Sequence, residues 1–241
     1  MRVEAVEPLE GDLWRVRLSD GTAVELSAPA PAASGLAPGA RLDAARLADL
    51  LDRARADRAC RDALRLLSLR AHSRQDLRHR LQRRGHDAAA VEQALALLAR
   101  QGWLDDADFA RQWARRSLAR SPVGPERLIT GLTRQGVDPD LAREAARSAV
   151  AEAAAPLQGG GAGGDAPADA RQDAVEDAET LLAWEALQRR LARGFDRGDP
   201  RTWRRAFDYL RRRGFSEESA ARALRRAGID PDAAGAAEPF T

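Results

Sequence analysis

The chain has 241 residues, with 39 basic and 37 acidic side chains, a formal net charge of +2 at pH 7 and a mean hydropathy of −0.49. That length suits one or two domains with a sizeable core, while no apolar run approaches the roughly 20 residues that a membrane helix needs, so no membrane partner is expected. The one cysteine, Cys60, excludes an internal disulfide or a cysteine metal cluster, and the absence of lysine excludes a Walker A loop and Schiff-base chemistry.

From the amino terminus, Trp14, Val16 and Leu18 alternate, Ser19-Asp20-Gly21 is a turn signal, and Ala23 to Leu26 alternates again, which predicts a small β-hairpin. Residues 27–39, rich in Ala, Pro and Gly, read as a loop, with a helix from about Asp43. Ser73, with Asp76 three residues on, is a capping-box variant, and Asp138-Pro139, Asp199-Pro200 and Asp230-Pro231 each offer an N-cap followed by proline. Gly85, Gly136 and Gly214 stand where helices should stop.

Aligning the chain on those three glycines reveals one pattern written three times. Leu81, Leu132 and Leu210 stand four residues before them; Leu77, Leu128 and Ala206 stand eight before. Val91 and Ala94, Ala142 and Ala145, and Ala220 and Ala223 follow at six and nine. The expected units are three-helix repeats, with helices near 57–70, 74–84 and 88–100, then 106–120, 125–135 and 139–152, then 172–193, 200–213 and 217–227. The predicted fold class is mainly α: tandem three-helix repeats in an elongated, curved arrangement, with a small N-terminal β-hairpin. The expected organisation is a hairpin and linking helix over 1–52, repeats over 53–103 and 104–154, a flexible Gly/Ala/Asp-rich linker over 155–170, a third repeat over 171–229 and a tail over 230–241.

Charge follows these boundaries. Residues 53–147 carry 20 arginines against 12 acids and residues 188–228 carry 13 against 5, whereas residues 148–187 carry 1 against 8. Two basic bodies divided by an acidic connector suit an anionic partner. At about 100° per residue, Trp203, Ala206, Phe207 and Leu210 form one apolar stripe, opposite Arg201, Arg204, Arg205, Arg211 and Arg212. Five arginines on one face repel one another unless an anion relieves them. In the helix near 106–120, Arg111 and Arg115 border one flank of an apolar side and Arg116 and Arg120 the other; their stems could equally cover apolar surface.

Catalytic candidates are weak. His72, His79 and His86 fall on different elements, so no zinc site is expected, and they read as surface residues. Asp105-Asp106 reads as a helix cap, and Cys60 as a small buried residue. The reading is therefore of a protein that is not an enzyme and has no cofactor, no catalytic residue and no metal site.

The run from Ala63 to Leu77, followed by Leu81 and Gly85, resembles the opening repeat of the RecX regulatory proteins, and Gly102-Trp103-Leu104-Asp105-Asp106-Ala107-Asp108-Phe109-Ala110, with Gly124, Ile129, Leu132 and Gly136-Val137, is similar to that family's most recognisable stretch. The resemblance covers residues 55–150 and, more weakly, 180–228. It implies a cytoplasmic bacterial modulator of the RecA recombinase that binds RecA filaments on DNA. Such a protein restrains ATP hydrolysis, strand exchange and co-protease activity in DNA repair and the SOS response, and also contacts single- or double-stranded DNA. The long acidic, glycine-rich insertion before the third repeat departs from the family pattern, and a monomer is expected. The alternatives are an autonomous helical DNA-binding protein and a helical-repeat scaffold for another protein.

Overall fold

The computed structural model describes residues 1–27, 35–158, 168–192 and 202–229, with side chains omitted over 157–158 and 168–176. Arg201, Asp199-Pro200, Asp230-Pro231, the 230–241 tail and the glycine run of the expected linker lie outside the described residues. Two compact units divide the chain, Met1–Asp105 and Asp106–Thr241.

The first unit opens with three antiparallel strands in the order β1 (Val3–Pro8), β2 (Leu13–Leu18) and β3 (Ala23–Ser27). The expected hairpin is therefore one strand short of the sheet. The reason lies in β1, where a register shift between Val3 and Ala5 breaks the two-residue alternation that would have marked it as a strand. Val3, Val16, Leu18 and Val24 turn one sheet face onto Leu36, Leu42 and Leu50. The β2–β3 turn closes with Gly21 at φ 82° and with the Thr22 N–H donated to Asp20 at 2.9 Å.

Helix α1 (Ala44–Leu69) runs 26 residues from an Asp43 cap. Its first half lays Leu47, Leu50, Leu51 and Ala54 against the sheet. Its second half places Ala59, Cys60, Ala63 and Leu66 in a separate core with Leu77 and Leu81 of α2 (Arg74–Arg83), Val91, Ala94, Leu95 and Leu98 of α3 (Ala88–Arg100), and Leu104. The expected helix near 57–70 is thus the latter part of a longer one that also serves the sheet.

The second unit holds α4 (Asp106–Arg120), α5 (Pro125–Arg134), α6 (Pro139–Ala154), α7 (Ala168–Leu191), α8 (Thr202–Arg212) and α9 (Glu217–Arg226). The expected linker is helical at both margins, since residues 155–158 form a 3-10 turn and α7 starts at Ala168, where alanines and Asp169 suit a first helical turn. Phe109, Ala110, Leu132, Val137, Ala142 and Ala145 make one core. A second joins Leu118, Leu128, Ala146, Ala149 and Val150 to Leu182, Ala186 and Leu187 of α7 and to Leu210, Phe215, Ala223 and Leu224 beyond. The third helix triplet therefore shares a core with the second despite the insertion between them. Every position of the threefold pattern is buried, and Gly85, Gly136 and Gly214 take φ of 86°, 80° and 82°.

Candidate functional site

The N-terminus of α5 explains the site. Its N-cap is Gly124, which has no side chain to satisfy the exposed N–H groups of the first turn. The carbonyls at the end of α8 do so instead: Gly124 N–H donates to Arg213 O at 2.9 Å and Glu126 N–H to Gly214 O at 3.3 Å. The electropositive end of one helix thus meets the electronegative end of another, and unsatisfied groups on both are paired. Arg127 adds a bond from Nη1 to Arg212 O at 3.3 Å.

The approach is close enough to require glycine on both sides. A Cβ on Gly124 would lie 2.0 Å from Gly214 O, and one on Gly214 would lie 2.5 Å from Arg127 N. Gly131, about two turns along α5 from Gly124, leaves room for Trp113, whose Cη2 would lie 2.2 Å from a Cβ placed there.

Beside this junction lies an open groove of about 640 Å³. Its charged lining is Arg120 from α4, Arg127 and Arg134 from α5, and Arg211, Arg212 and Arg213 from the end of α8, against Glu126 alone. On α5, Arg127, Thr130 and Arg134 share one face opposite the buried Leu128 and Leu132. Arg213 is held in place: Nη1 donates to Tyr209 Oη at 2.9 Å, Nη2 to Ser121 Oγ at 2.5 Å, and the guanidinium lies 5.3 Å from the Tyr209 ring centroid. Six arginines with a single glutamate in the same lining, beside hydroxyls and an indole, suit the phosphates of a nucleic acid or an acidic protein surface.

The arginines expected from sequence separate into groups. Arg120, Arg211 and Arg212 line the groove. Arg211 is engaged there, donating Nη1 to Phe215 O at 2.8 Å and approaching Glu217 at 3.3 Å. Arg204 and Arg205 are exposed on α8 but not among the groove's lining residues, and Arg201 lies outside the described residues. Arg115 ties α4 to α6 through paired bonds to Glu152 at 2.6 and 2.9 Å, which hold that carboxyl below its usual range. Arg111 approaches Asp108 at 3.5 Å, and Arg116 donates to Gln112 O at 3.2 Å. Arg127, Arg134 and Arg213 were missed. The i, i+7 pair on α5 was a readable signal, but the junction that brings α8 to it was not.

Two of the three histidines are not surface residues. The His72 and His86 side chains are 2% and 7% exposed. A partner carboxylate makes such burial affordable: His72 Nδ1 lies 2.7 Å from Asp76, and His86 Nε2 lies 2.8 Å from Asp62. Burial works against ionisation of both aspartates, but bonds from His72 and Arg80 to Asp76, and from His86 and Arg65 to Asp62, outweigh it and hold both carboxyls low. Cys60 is buried, and burial with the nearby Asp57 pushes its thiol up, away from nucleophilic use. Helix α4 begins at Asp106, which places Asp105 at the N-cap position and Asp106 in the first turn. Among the described residues, no helix is long and apolar enough to cross a membrane.

Comparison with known proteins matches residues 59–98 to a family model described as the first three-helix domain of RecX and residues 105–145 to its second. A regulatory protein RecX of Syntrophotalea carbinolica is 35% identical over 156 residues, covering 64% of this chain and 86% of that one. Another, from Halorhodospira halophila, is 43% identical over 83 residues, covering 34% of this chain and only about half (51%) of the relative. Among solved structures, a crystal structure of regulatory protein RecX aligns with a TM-score of 0.63 at 17% identity, over 90% of this chain and 96% of the other. RecX from Lactobacillus salivarius aligns at 0.51 and 18% identity, over 73% and 98%. At these identities the structural likeness speaks for the fold.

Proposed function

Because the chain belongs to the RecX family of regulatory proteins, we propose that it modulates the RecA recombinase in the cytoplasm by docking, as a monomer, along RecA–DNA filaments. Docking restrains ATP hydrolysis, strand exchange and co-protease activity, and so tunes homologous recombination, DNA repair and the SOS response. The reading needs no bond-making chemistry in this chain. The observation that supports it is the groove at the α5–α8 junction, whose lining holds six arginines and one glutamate. A polyanionic filament relieves their mutual repulsion, and complementary fields speed encounter and set register more than they add affinity. Arg204 and Arg205 extend the positive surface along α8.

The test is titration of the protein into cognate recombinase filaments during ATP hydrolysis and strand exchange. Inhibition that saturates at a fixed ratio to recombinase supports the proposal, and no effect on either activity rejects it. Binding to bare duplex as strong as to filaments, with a salt slope of about −0.9 per phosphate contacted, would favour an autonomous DNA-binding protein instead.

A further inference from the structure

The first unit carries a second basic groove, of about 570 Å³, between strand β3 and helix α1. Sheet order makes β3 an edge strand, paired with β2 on one side only. The Ser27 N–H points away from β2, because it donates to Asp57 of α1 at 2.7 Å. By the two-residue alternation of an antiparallel ladder, the N–H and C=O groups of Ala23 and Glu25 point the same way. No hydrogen-bond partner takes these backbone groups among the described residues, and Ala23 is exposed.

Facing that edge, α1 presents Arg55, Arg58, Arg61 and Arg65 along one side of its cylinder. Arg55 and Arg65 are paired with Asp52 and Asp62, each at 3.0 Å. Arg61 donates to the Ser27 hydroxyl at 3.3 Å and lies near enough to Asp57 to favour its charged form, while exposed Arg58 has no partner among the described residues. Glu25, the acid of β3, is turned to Arg15 at 3.0 Å. Asp57 shows what the surface accepts: a carboxylate bonded to an edge N–H with Arg61 close by.

We propose that the β3 edge and the Arg58–Arg61 side of α1 form a docking site for an acidic, extended peptide segment of a partner protein, which adds as a strand beside Ala23 and Glu25. Main-chain bonds to the edge supply affinity, and carboxylates on alternate residues of the peptide meet the arginines. The unpaired main-chain groups favour a peptide over a nucleic acid, whose phosphates would use the arginines and leave the edge carbonyls unsatisfied. This site is separate from the α5–α8 groove and does not rest on the filament reading.

The probe is a fluorescein-labelled peptide, acetyl-Thr-Glu-Val-Asp-Val-Glu-Thr-amide, followed by anisotropy against the full chain. Saturable binding is expected. The same peptide N-methylated at alternate amides should bind at least about tenfold more weakly to the unaltered protein, and Arg58→Ala with Arg61→Ala should cost a similar factor at unchanged helicity. No saturable binding, equal binding of the N-methylated peptide, or an undiminished affinity in the double variant would overturn the proposal. So would displacement of the peptide by oligothymidylate at equal or lower concentration, which would assign the surface to nucleic acid.

Discussion

The turn at Gly85 in the first unit faces open space, whereas the corresponding turn at Gly214 in the second lies against the backbone of Arg127. Both glycines end a middle helix with nearly the same positive φ, so local sequence writes the same stop in each place. The surroundings differ. The seams of the first unit are closed by charge, through His72–Asp76–Arg80 and His86–Asp62–Arg65. The junction of the second is closed by backbone contact between α5 and α8, and that contact gathers the arginines of the groove. One repeat signature can therefore yield a solvated turn in one copy and an arginine-lined groove in another.

A methyl group added at each turn should show the difference most strongly. Gly85→Ala should cost about 1 to 2 kcal/mol from left-handed strain alone, and Gly214→Ala about 2 to 4 kcal/mol because overpacking is added. Urea denaturation would measure both, and equal losses would remove the claimed difference.

Next in size is Asp76→Asn, which removes the carboxylate bonded to His72, Arg70 and Arg80. With Asp76 17% exposed, about 2 kcal/mol of the first unit's stability should be lost. Hydrogen exchange should quicken in α2 and α3 and stay unchanged in α8 and α9.

Acid should separate the units less abruptly. In the first, among the described residues, Asp20, Asp62, Asp76 and Glu92 are held low against one raised carboxyl, Asp57. In the second, Glu152 is held low, while burial pushes Glu179 up despite its bonds from Ser216. A lowered carboxyl contributes stability above its unfolded value that is lost as pH falls through its folded value; a raised one carries a penalty that acid relieves. Between about pH 4 and pH 2 the first unit should lose stability before the second. Pepsin cleavage in α1–α3 ahead of α8–α9 is the expected order.

The smallest effect belongs to Arg115→Ala. Its pair with Glu152 is about half exposed on both sides, so thermal stability should barely move, and filament affinity should not change.

Helix stops, caps and the threefold apolar pattern were legible because each is set by neighbours within a turn or two: Ser73, Gly85 and Leu81 need no distant partner. Strand β1 was hidden by its bulge, and the continuity of α1 by a change of buried face midway, from Leu50 and Ala54 to Ala59 and Ala63. Burial of His72 was unreadable until Asp76, four residues on, was seen turned back to it. For His86 the partner is Asp62, 24 residues away. Of the expected arginine face of α8, Arg211 and Arg212 line the groove; Arg127 and Arg134, across from them, depended on a contact across 85 residues.

Whether the α5–α8 groove carries filament docking is decided by co-sedimentation with recombinase–DNA filaments, using two triple variants of equal charge change. Arg120→Ser, Arg134→Ser and Arg212→Ser empty the groove of exposed arginines that make no hydrogen bond or ion pair through their side chains among the described residues; Arg83→Ser, Arg84→Ser and Arg100→Ser do the same on α2 and α3. The groove variant should lose at least about tenfold in filament affinity while the control binds as the unaltered protein does. Equal losses in the two, or a larger loss in the control, would contradict the account.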